Sequence, residues 1–458
     1  MLIEKRNTGR ILFIHYRVGM TDGVSLEINK RKHILEKKGY KTALLAGPGS
    51  SGADYIIPSL DFNTPEAREI ADKAFSGTDS CGNESDLIKN ITDLSEKIKT
   101  ESAEILNDFK PDFIFIHNIF SHGRHISAAL AFRELLEKYR IRALATHHDF
   151  YWEREHYKKP CGKEIDKYLK RNVPPEISGL KHAVINSPAA ADLKKRRGIN
   201  SMIFPDTIDF DAPPWKIDSW NRSLTDDAGL KKDDIIVLQA TRIVPRKGIE
   251  LIVPIIKKLN SPEIINSLIG KKIYNGKLIS EKSRFVLFLA GYPEEDAADY
   301  WKKLKNYIDF EKIPHVVFFD RVAAERYENN SGKTYSLFDT YPFADLVSYP
   351  SIFEGWGNQF LEAVFAEKPI AVFEYPVFKS DIKKQGYSYI SLGDTVKKKE
   401  DGLLYLPEEI INKAAENIIS VLKSSSTKET LRKNFEIGRK NNSYRTLEKL
   451  LEKGMAPL

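Results

Sequence analysis

The sequence predicts an α/β protein of two doubly wound, Rossmann-like domains facing each other across a cleft. Three observations carry that prediction. Short segments rich in Val, Ile, Leu and Phe recur along the 458 residues and alternate with amphipathic stretches of helical length. These segments are continuous apolar runs, the pattern of strands buried on both faces of a parallel sheet. A polar, proline-rich stretch from Asp206 to Asp234, containing Pro213, Pro214 and Trp215, separates five such strands from five more.

In the N-terminal half the expected strands are Ile11–His15, Thr42–Ala46, Phe113–Ile116, Ala143–Thr146 and His182–Ile185. Residues Ser76–Ser85, rich in Gly, Ser and Asp, read as a mobile surface loop. In the C-terminal half the strands are Ile235–Leu238, Phe285–Ala290, Val316–Phe319, Leu346–Tyr349 and Ile370–Phe373. Pro407–Lys423 and Thr427–Lys453 close the chain as helices. Helices between successive strands imply right-handed crossovers. The break puts the domains at residues 1–205 and 206–441.

Composition is that of an ordinary globular protein, with 41% apolar and 29% charged residues. The excess of 71 Lys and Arg over 64 Asp and Glu, a net +7, is spread through mixed-sign helices such as Glu27–Lys38. It lacks the dense basic patch with aromatic platforms that nucleic-acid binding requires. The basic cluster Lys194–Arg197 reads as a solvated helix end, with an anionic membrane surface as the alternative. Met1–Arg6 has no signal-peptide core, and no apolar run reaches the roughly 20 residues of a membrane span. Cys81 and Cys161 form no CxxC pair, which suggests a reducing cytoplasm. Cytoplasmic localisation without membrane association is therefore expected, and the sequence assigns no oligomeric state.

The richest stretch is PSIFEGWGNQFLEA, residues 350–363. A buried strand ends at Pro350, passes through a turn containing Gly355 and Gly357, and opens a helix near Asn358. Glu354 sits on the turn and Glu362 in the helix's second turn. Ligands of α/β folds occupy this crevice at the carboxyl end of a parallel strand. Free amides at the helix start suit an anion, and the glycines admit it closely. Carboxylates beside an anion site suit a ligand bearing phosphate and hydroxyls, such as a nucleotide sugar.

Other strand ends add candidates. Arg242 and Lys247 follow the strand at Ile235–Leu238, and an Arg fork with a Lys point charge suits a diphosphate. Arg17, Asp22 and Gly23 lie on the turn after the first strand, where Gly23 at a helix start would bring amides to a phosphate or hydroxyl. Six of the ten histidines fall between His117 and His156, with His117 and the triplet His147, His148 and Asp149 at strand ends. None has metal-site spacing. They read as polar groups lining a sugar site, whereas His122 and His125 read as helix-surface residues. Phe150–Trp152 would stack on a substrate or pack a loop. Asp209 and Asp211 spell a DxD triplet, but in the linker rather than at a strand end, so a metal–diphosphate role is not assigned.

These segments resemble glycosyltransferase family 4, retaining enzymes of GT-B fold, over most of the chain. PSIFEGWGNQFLEA matches the family's PSxxEGxGxxxLEA, Arg242 to Gly248 its RxxxxKG, Pro205 to Asp209 its linker signature, and Asp22 to Val24 its N-terminal glycine loop. The chain departs at Asp22 (usually Gly), Trp356 (usually Phe), Asn358 (usually Leu) and Asp206 (usually Asn). The resemblance implies that Glu362 holds the ribose hydroxyls, Glu354 sits at the transferred sugar, and Arg242 and Lys247 hold the diphosphate. It places Gly23, Gly355, Gly357 and Asn358 around the donor, and gives His117 a catalytic position facing the donor sugar. Arg17, Asp22, His148 and Asp149 fall on the acceptor side. It further implies that residues 442–458 form a helix crossing back to the N-terminal domain, and that a loop near Asp320–Val322 reads the base.

The implied activity is retaining transfer of a hexose from a nucleotide-diphosphate sugar, GDP-mannose first and UDP-glucose second. The segment from His147 to Arg154 is similar to that of bacterial members that glycosylate glycerate compatible solutes, which points to a small anionic acceptor such as glucosylglycerate. The alternatives are cell-surface polysaccharide or lipid-linked glycan synthesis, and a non-catalytic nucleotide-sugar-binding subunit. No tightly bound cofactor and no dedicated metal site are expected, with Mg²⁺ at most stimulatory.

Overall fold

The computed structural model describes residues 9–19, 23–77, 82–330 and 332–457. Its contacts divide the chain into Met1–Pro205 with Tyr444–Leu458, and Asp206–Ser443.

The first unit is a seven-stranded parallel sheet: β1 (Arg10–Ile14), β2 (Lys41–Ala46), β3 (Tyr55–Ile56), β4 (Phe113–His117), β5 (Arg142–His147), β6 (Leu180–Val184) and β7 (Met202–Ile203). The order across it is β3-β2-β1-β4-β5-β6-β7. The apolar runs sit in its centre: every residue of β4 is buried, as is all of β1 after Arg10. The crossover helices are α1 (Gly23–Lys37), α2 (Pro65–Ala74), α3 (Glu84–Phe109), α4 (Ile126–Tyr139), α5 (Lys163–Asn172) and α6 (Ser187–Arg197). Local chemistry sets their ends. Asn186 caps α6 by accepting from the Ala189 N–H at 2.8 Å, and Gly198 stops it in the left-handed region at φ 73°. Glu84 accepts the amides of Glu164 and Ile165 at the start of α5, where a carboxylate meets the helix dipole.

The second unit begins with the short α7 (Leu224–Asp227). It then runs through β8 (Ile235–Gln239), α8 (Val253–Leu259), α9 (Pro262–Leu268), β9 (Phe285–Leu289), α10 (Ala298–Phe310) and β10 (His315–Val317). After a small three-stranded sheet, β11 (Val322–Ala323), β12 (Tyr327–Asn329) and β13 (Gly332–Ser336), come β14 (Leu346–Tyr349), α11 (Asn358–Phe365), β15 (Ile370–Val372) and β16 (Ile390–Ser391). The hairpin β17 (Lys397–Lys398) and β18 (Leu404–Tyr405) precedes α12 (Glu408–Lys423) and α13 (Thr427–Asn441). The main sheet is parallel in the order β10-β9-β8-β14-β15-β16. Both sheets therefore reverse direction beside their first strand, between β1 and β4 and between β8 and β14. A doubly wound fold opens its ligand crevice at that point.

Several expectations are corrected. The strand expected over Val316–Phe319 ends at Val317, and Phe319–Arg321 turns instead, leading into β11. The helical stretch Thr427–Lys453 is two helices, α13 and α14 (Tyr444–Met455), broken at Asn442 and Ser443. There the outgoing chain runs beside the incoming linker. Asn442 accepts from the Ile208 N–H at 3.0 Å and donates to the Asp206 carbonyl at 3.0 Å. The loop expected over Ser76–Ser85 lies partly outside the described residues, and Glu84 and Ser85 already belong to α3. Cys161 is buried and disulfide-bonded, which the absence of a CxxC pair did not suggest. Sequence separation carries no information on distance in the fold. Cys81 lies outside the described residues. Among the described residues no helix is long and apolar enough to cross a membrane.

Helix α14 packs into the first unit. Leu447 and Leu451 are fully buried with Ile11, Phe13 and Leu144, and Lys38 pairs with Glu448 and Glu452. Arg142 and Lys181 donate to the carbonyls of Met455 and Ala456 at its end, at 3.0 and 2.7 Å. Leu451→Ala should cost about 2–5 kcal/mol, read as a lower urea midpoint for the first unit. An unchanged midpoint would mean the helix is not part of that core.

Candidate active site

In the second unit, the loops after β8 and β14 lie side by side at the carboxyl ends of neighbouring strands. Their approach depends on Gly248. It sits at φ +56°, and an added Cβ would stand 2.7 Å from the Pro350 carbonyl oxygen. The Ile352 N–H donates to the Arg246 carbonyl at 2.9 Å and locks the two loops together. A turn at Pro245–Lys247 then aims Arg246 and Lys247 at the turn before α11.

Glu354 is the focus of this arrangement. Lys247 donates to its Oε1, and Arg246 Nη1 donates to its Oε2 at 2.6 Å and to the Phe353 carbonyl at 3.2 Å. Lys247 and Glu354 are both buried, each 8% exposed. Burial pushes the Glu354 carboxyl up, but Lys247 and Arg246 outweigh it and hold the group below the ordinary glutamate value. Burial pushes the Lys247 ammonium down against the pull of Glu354. The three charges leave one net positive, with carboxylate lone pairs and ammonium protons to spare. Such a group can hold a sugar hydroxyl and a phosphate oxygen side by side.

The sequence pairs Arg242 with Lys247, whereas the structure places Arg246 there. Arg242 is exposed, and its guanidinium pairs with Glu294 on the loop after β9. Its charge still bears on Lys247. Gly357 has no room for a side chain: a Cβ would lie 2.7 Å from the Tyr375 hydroxyl. Its N–H donates to Asp206 at 3.3 Å, so the residue that departs from the usual linker asparagine anchors the turn. Gly355 is half-buried, Asn358 is exposed at the start of α11, and Trp356 is buried. Glu362, half-buried on α11, accepts from the Tyr341 hydroxyl at 2.5 Å.

In the first unit, His117 and His148 come together at the ends of β4 and β5, their rings 6.0 Å apart. His117 is fully buried, also faces Phe13, and neither ring nitrogen has a hydrogen-bond partner. Burial and the nearby Arg31 push it well below the usual histidine value, so it is neutral. The resemblance makes it a residue facing the donor sugar, and in the first unit its ring packs between Phe13 and His148. Burial holds His148 at about 4, and its N–H donates to Asn118 at 2.9 Å. Asp149 accepts from Arg154 Nε at 2.6 Å and lies 3.6 Å from His122. Arg17 is exposed after β1, and Gly23 begins α1 with open space where a Cβ would stand. Asp22 lies outside the described residues.

His122 and His125 are buried rather than on a helix surface, since Gly123–His125 is a turn under the loop and His125 contacts the Ser59 carbonyl at 2.9 Å. Sequence reasoning also missed Glu27 and Arg31, which it counted only among the charges of a mixed-sign helix. Both are buried, and Arg31 donates to the Thr146 hydroxyl at 2.7 Å. Their spacing of four, on one face with Ile28, Ile34 and Leu35, was the available signal. Phe150–Trp152 pack a loop: Trp152 donates to Asp192 at 2.7 Å and lies under Arg196 and Arg197. That contact also occupies half of the basic cluster at Lys194–Arg197. In the DxD triplet, Asp211 accepts from Arg439 at 2.8 Å. Among the described residues no group of three His, Cys, Asp or Glu side chains could hold a metal ion.

The chain is similar over most of its length to known proteins. Residues 222–437 match the family model described as glycosyl transferases group 1. The chain is 36% identical over 450 residues to the mannosylglucosylglycerate synthase of Thermotoga maritima, covering 98% of this chain and 100% of that one. It is 36% identical over 409 residues to the enzyme of the same name from Petrotoga mobilis, covering 89% and 92%. Among solved structures, the catalytic domain of starch synthase IV from Arabidopsis thaliana aligns with a TM-score of 0.57 at 13% identity, covering 98% of this chain and 99% of that one. Sucrose-phosphate synthase from Thermosynechococcus elongatus gives 0.56 at 12%, covering 97% and 98%. At such identities the structures speak for the fold alone, and that fold is GT-B. With the relatives matched almost end to end, the chain belongs to the group 1 glycosyl transferases and is a hexosyltransferase.

Proposed function

We propose that this enzyme transfers mannose from GDP-mannose to glucosylglycerate, with retention at the anomeric carbon. The observation that carries the reading is the 36% identity to a mannosylglucosylglycerate synthase over 98% of the chain. The Lys247–Glu354–Arg246 cluster supports it, because a diphosphate-linked sugar needs a cation and a hydroxyl acceptor within one small site.

In this reading Lys247, with Arg242 at the edge of the site, stabilises the charge that develops on the departing diphosphate. Glu354 and Glu362 hold hydroxyls of the sugar and the ribose. The bond from the anomeric carbon to the phosphate oxygen breaks as the bond to the acceptor oxygen forms on the same face. The acceptor's proton passes to the departing diphosphate. In the first unit, Arg17, His148 and Asp149 serve the acceptor and Gly23 offers backbone amides at a helix start, with Mg²⁺ no more than stimulatory.

Thermal unfolding with saturating GDP, UDP and ADP comes first. A ligand at one hundred times its dissociation constant adds about 2.7 kcal/mol, and stabilisation by GDP alone is the expected result. Incubating GDP-mannose with glucosylglycerate should then give an α-linked product by NMR. Stabilisation by UDP would move the donor to UDP-glucose. Failure with glucosylglycerate but turnover with a lipid-linked or polymeric glycan would replace the acceptor.

A further inference from the structure

Arg246 is given no substrate contact in the reading above, yet its side chain makes two bonds to the turn that carries Glu354. Its side chain reaches the loop after β14 and donates to the Glu354 carboxylate at 2.6 Å and the Phe353 carbonyl at 3.2 Å. Its own carbonyl accepts from the Ile352 N–H at 2.9 Å. One residue thus grips the turn carrying Glu354 at three successive positions. The division of labour at the carboxylate is equally specific, with Lys247 on Oε1 and Arg246 on Oε2.

The exposure of the two cations differs. The Lys247 side chain is 10% exposed, like that of Glu354, whereas that of Arg246 is 38% exposed. A planar fork committed to a carboxylate and a carbonyl fixes orientation as well as charge, which a lysine in its place cannot fully reproduce. The far side of the turn is held separately, by Asp206 on the Gly357 N–H at 3.3 Å and by the Tyr375 hydroxyl on the Trp356 carbonyl. On the near side, at the residue before Glu354, the Phe353 side chain is 63% exposed, and Arg246 holds its carbonyl.

We propose that Arg246 is a positioning residue: it fixes the Glu354 carboxylate against the transferred sugar and acts on catalysis through Glu354, not by binding the diphosphate. This rests on Glu354 being the glutamate at the transferred sugar. Burial favours the neutral form of Glu354 while its two cations keep it ionised, as an acceptor of sugar hydroxyls requires. Loss of the Arg246 side chain frees one carboxylate oxygen and the Phe353 carbonyl together. A displacement of about 1 Å at such a site can cost on the order of a hundredfold in rate.

The test is a double-mutant cycle at pH 8 with Arg246→Gln, Glu354→Gln and the pair, measuring kcat and, separately, nucleoside diphosphate affinity by calorimetry. A residue acting through another gives non-additive losses. Arg246→Gln should lower kcat about tenfold while the dissociation constant for the nucleoside diphosphate changes less than about threefold. The double variant should be no slower than Glu354→Gln, and Arg246→Lys should recover part of the loss. Additive losses in the pair would overturn the proposal, as would a large loss of nucleotide affinity in Arg246→Gln, which would make Arg246 a phosphate ligand. Near-normal kcat in Arg246→Gln also overturns it. Near-normal kcat in Glu354→Gln would instead remove the assignment of Glu354, and the proposal with it.

Discussion

Lys247→Ala is expected to lower kcat by at least a hundredfold while the protein remains folded. Removing one preorganised donor to a developing oxyanion typically costs roughly 3 kcal/mol, or about a hundredfold. Lys247 is suited to that role because burial keeps water from screening its charge. The fold should survive because Glu354, which would otherwise be left as an unpaired buried carboxylate, keeps its bond to Arg246. Without that second partner, loss of a buried cation would cost about 3–5 kcal/mol of stability. The measurements are turnover at saturating donor, with circular dichroism and thermal unfolding to verify the fold. Near-normal turnover would refute the role given to Lys247. A collapse of stability together with activity would show that Arg246 does not hold Glu354 alone.

Acidification should unfold the first unit well before the carboxylates titrate. His122, His125 and His182 are buried there, and burial lowers each to about 4; His117 and His147 are lowered further. In the unfolded chain these imidazoles take up protons below about 6.5. Between about 6.5 and about 4 the unfolded chain binds more protons, so stability falls as pH falls. Above 6.5 neither form is protonated and stability is flat. At pH 5 each of the three costs on the order of 2 kcal/mol, together comparable with the whole stability of a typical domain. Urea unfolding from pH 8 to 5 reads this out, followed by fluorescence of Trp152, the one tryptophan in residues 1–205 and 444–458. His125→Gln should flatten the dependence by about one proton. A midpoint constant across that range would mean the histidines are hydrated and charged. Carboxylates such as Glu27 and Glu354, already held low, contribute only below this window.

The strands were legible because a run such as FIFI at 113–116 has one stable place in a folded chain, the centre of a parallel sheet buried on both sides. The sheet edges were not. β3, β7 and β16 are two residues each, too short for any periodicity, and exist because a neighbouring strand offers them partners. In the second unit, the turn bearing Glu354, the helix bearing Glu362 and the glycine behind Lys247 could be read from local chemistry. Arg242 and Arg246 could not be told apart, since a loop's sequence does not say which of its cations turns inward.

The sequence by itself determined the class of fold, the two sheets and the kind of ligand the strand-end carboxylates and cations can hold, because hydrophobic periodicity and turn chemistry act over a few residues. Only the tertiary structure decided which charges meet. It put Arg246 on Glu354 and Arg242 on Glu294, and buried Glu27 and Arg31 on a mixed-sign helix and His117 at a strand end. Burial and pairing depend on residues far apart in the chain. Glu354 lies 107 positions from Lys247, and it is their contact, not their spacing, that sets the charge of the site.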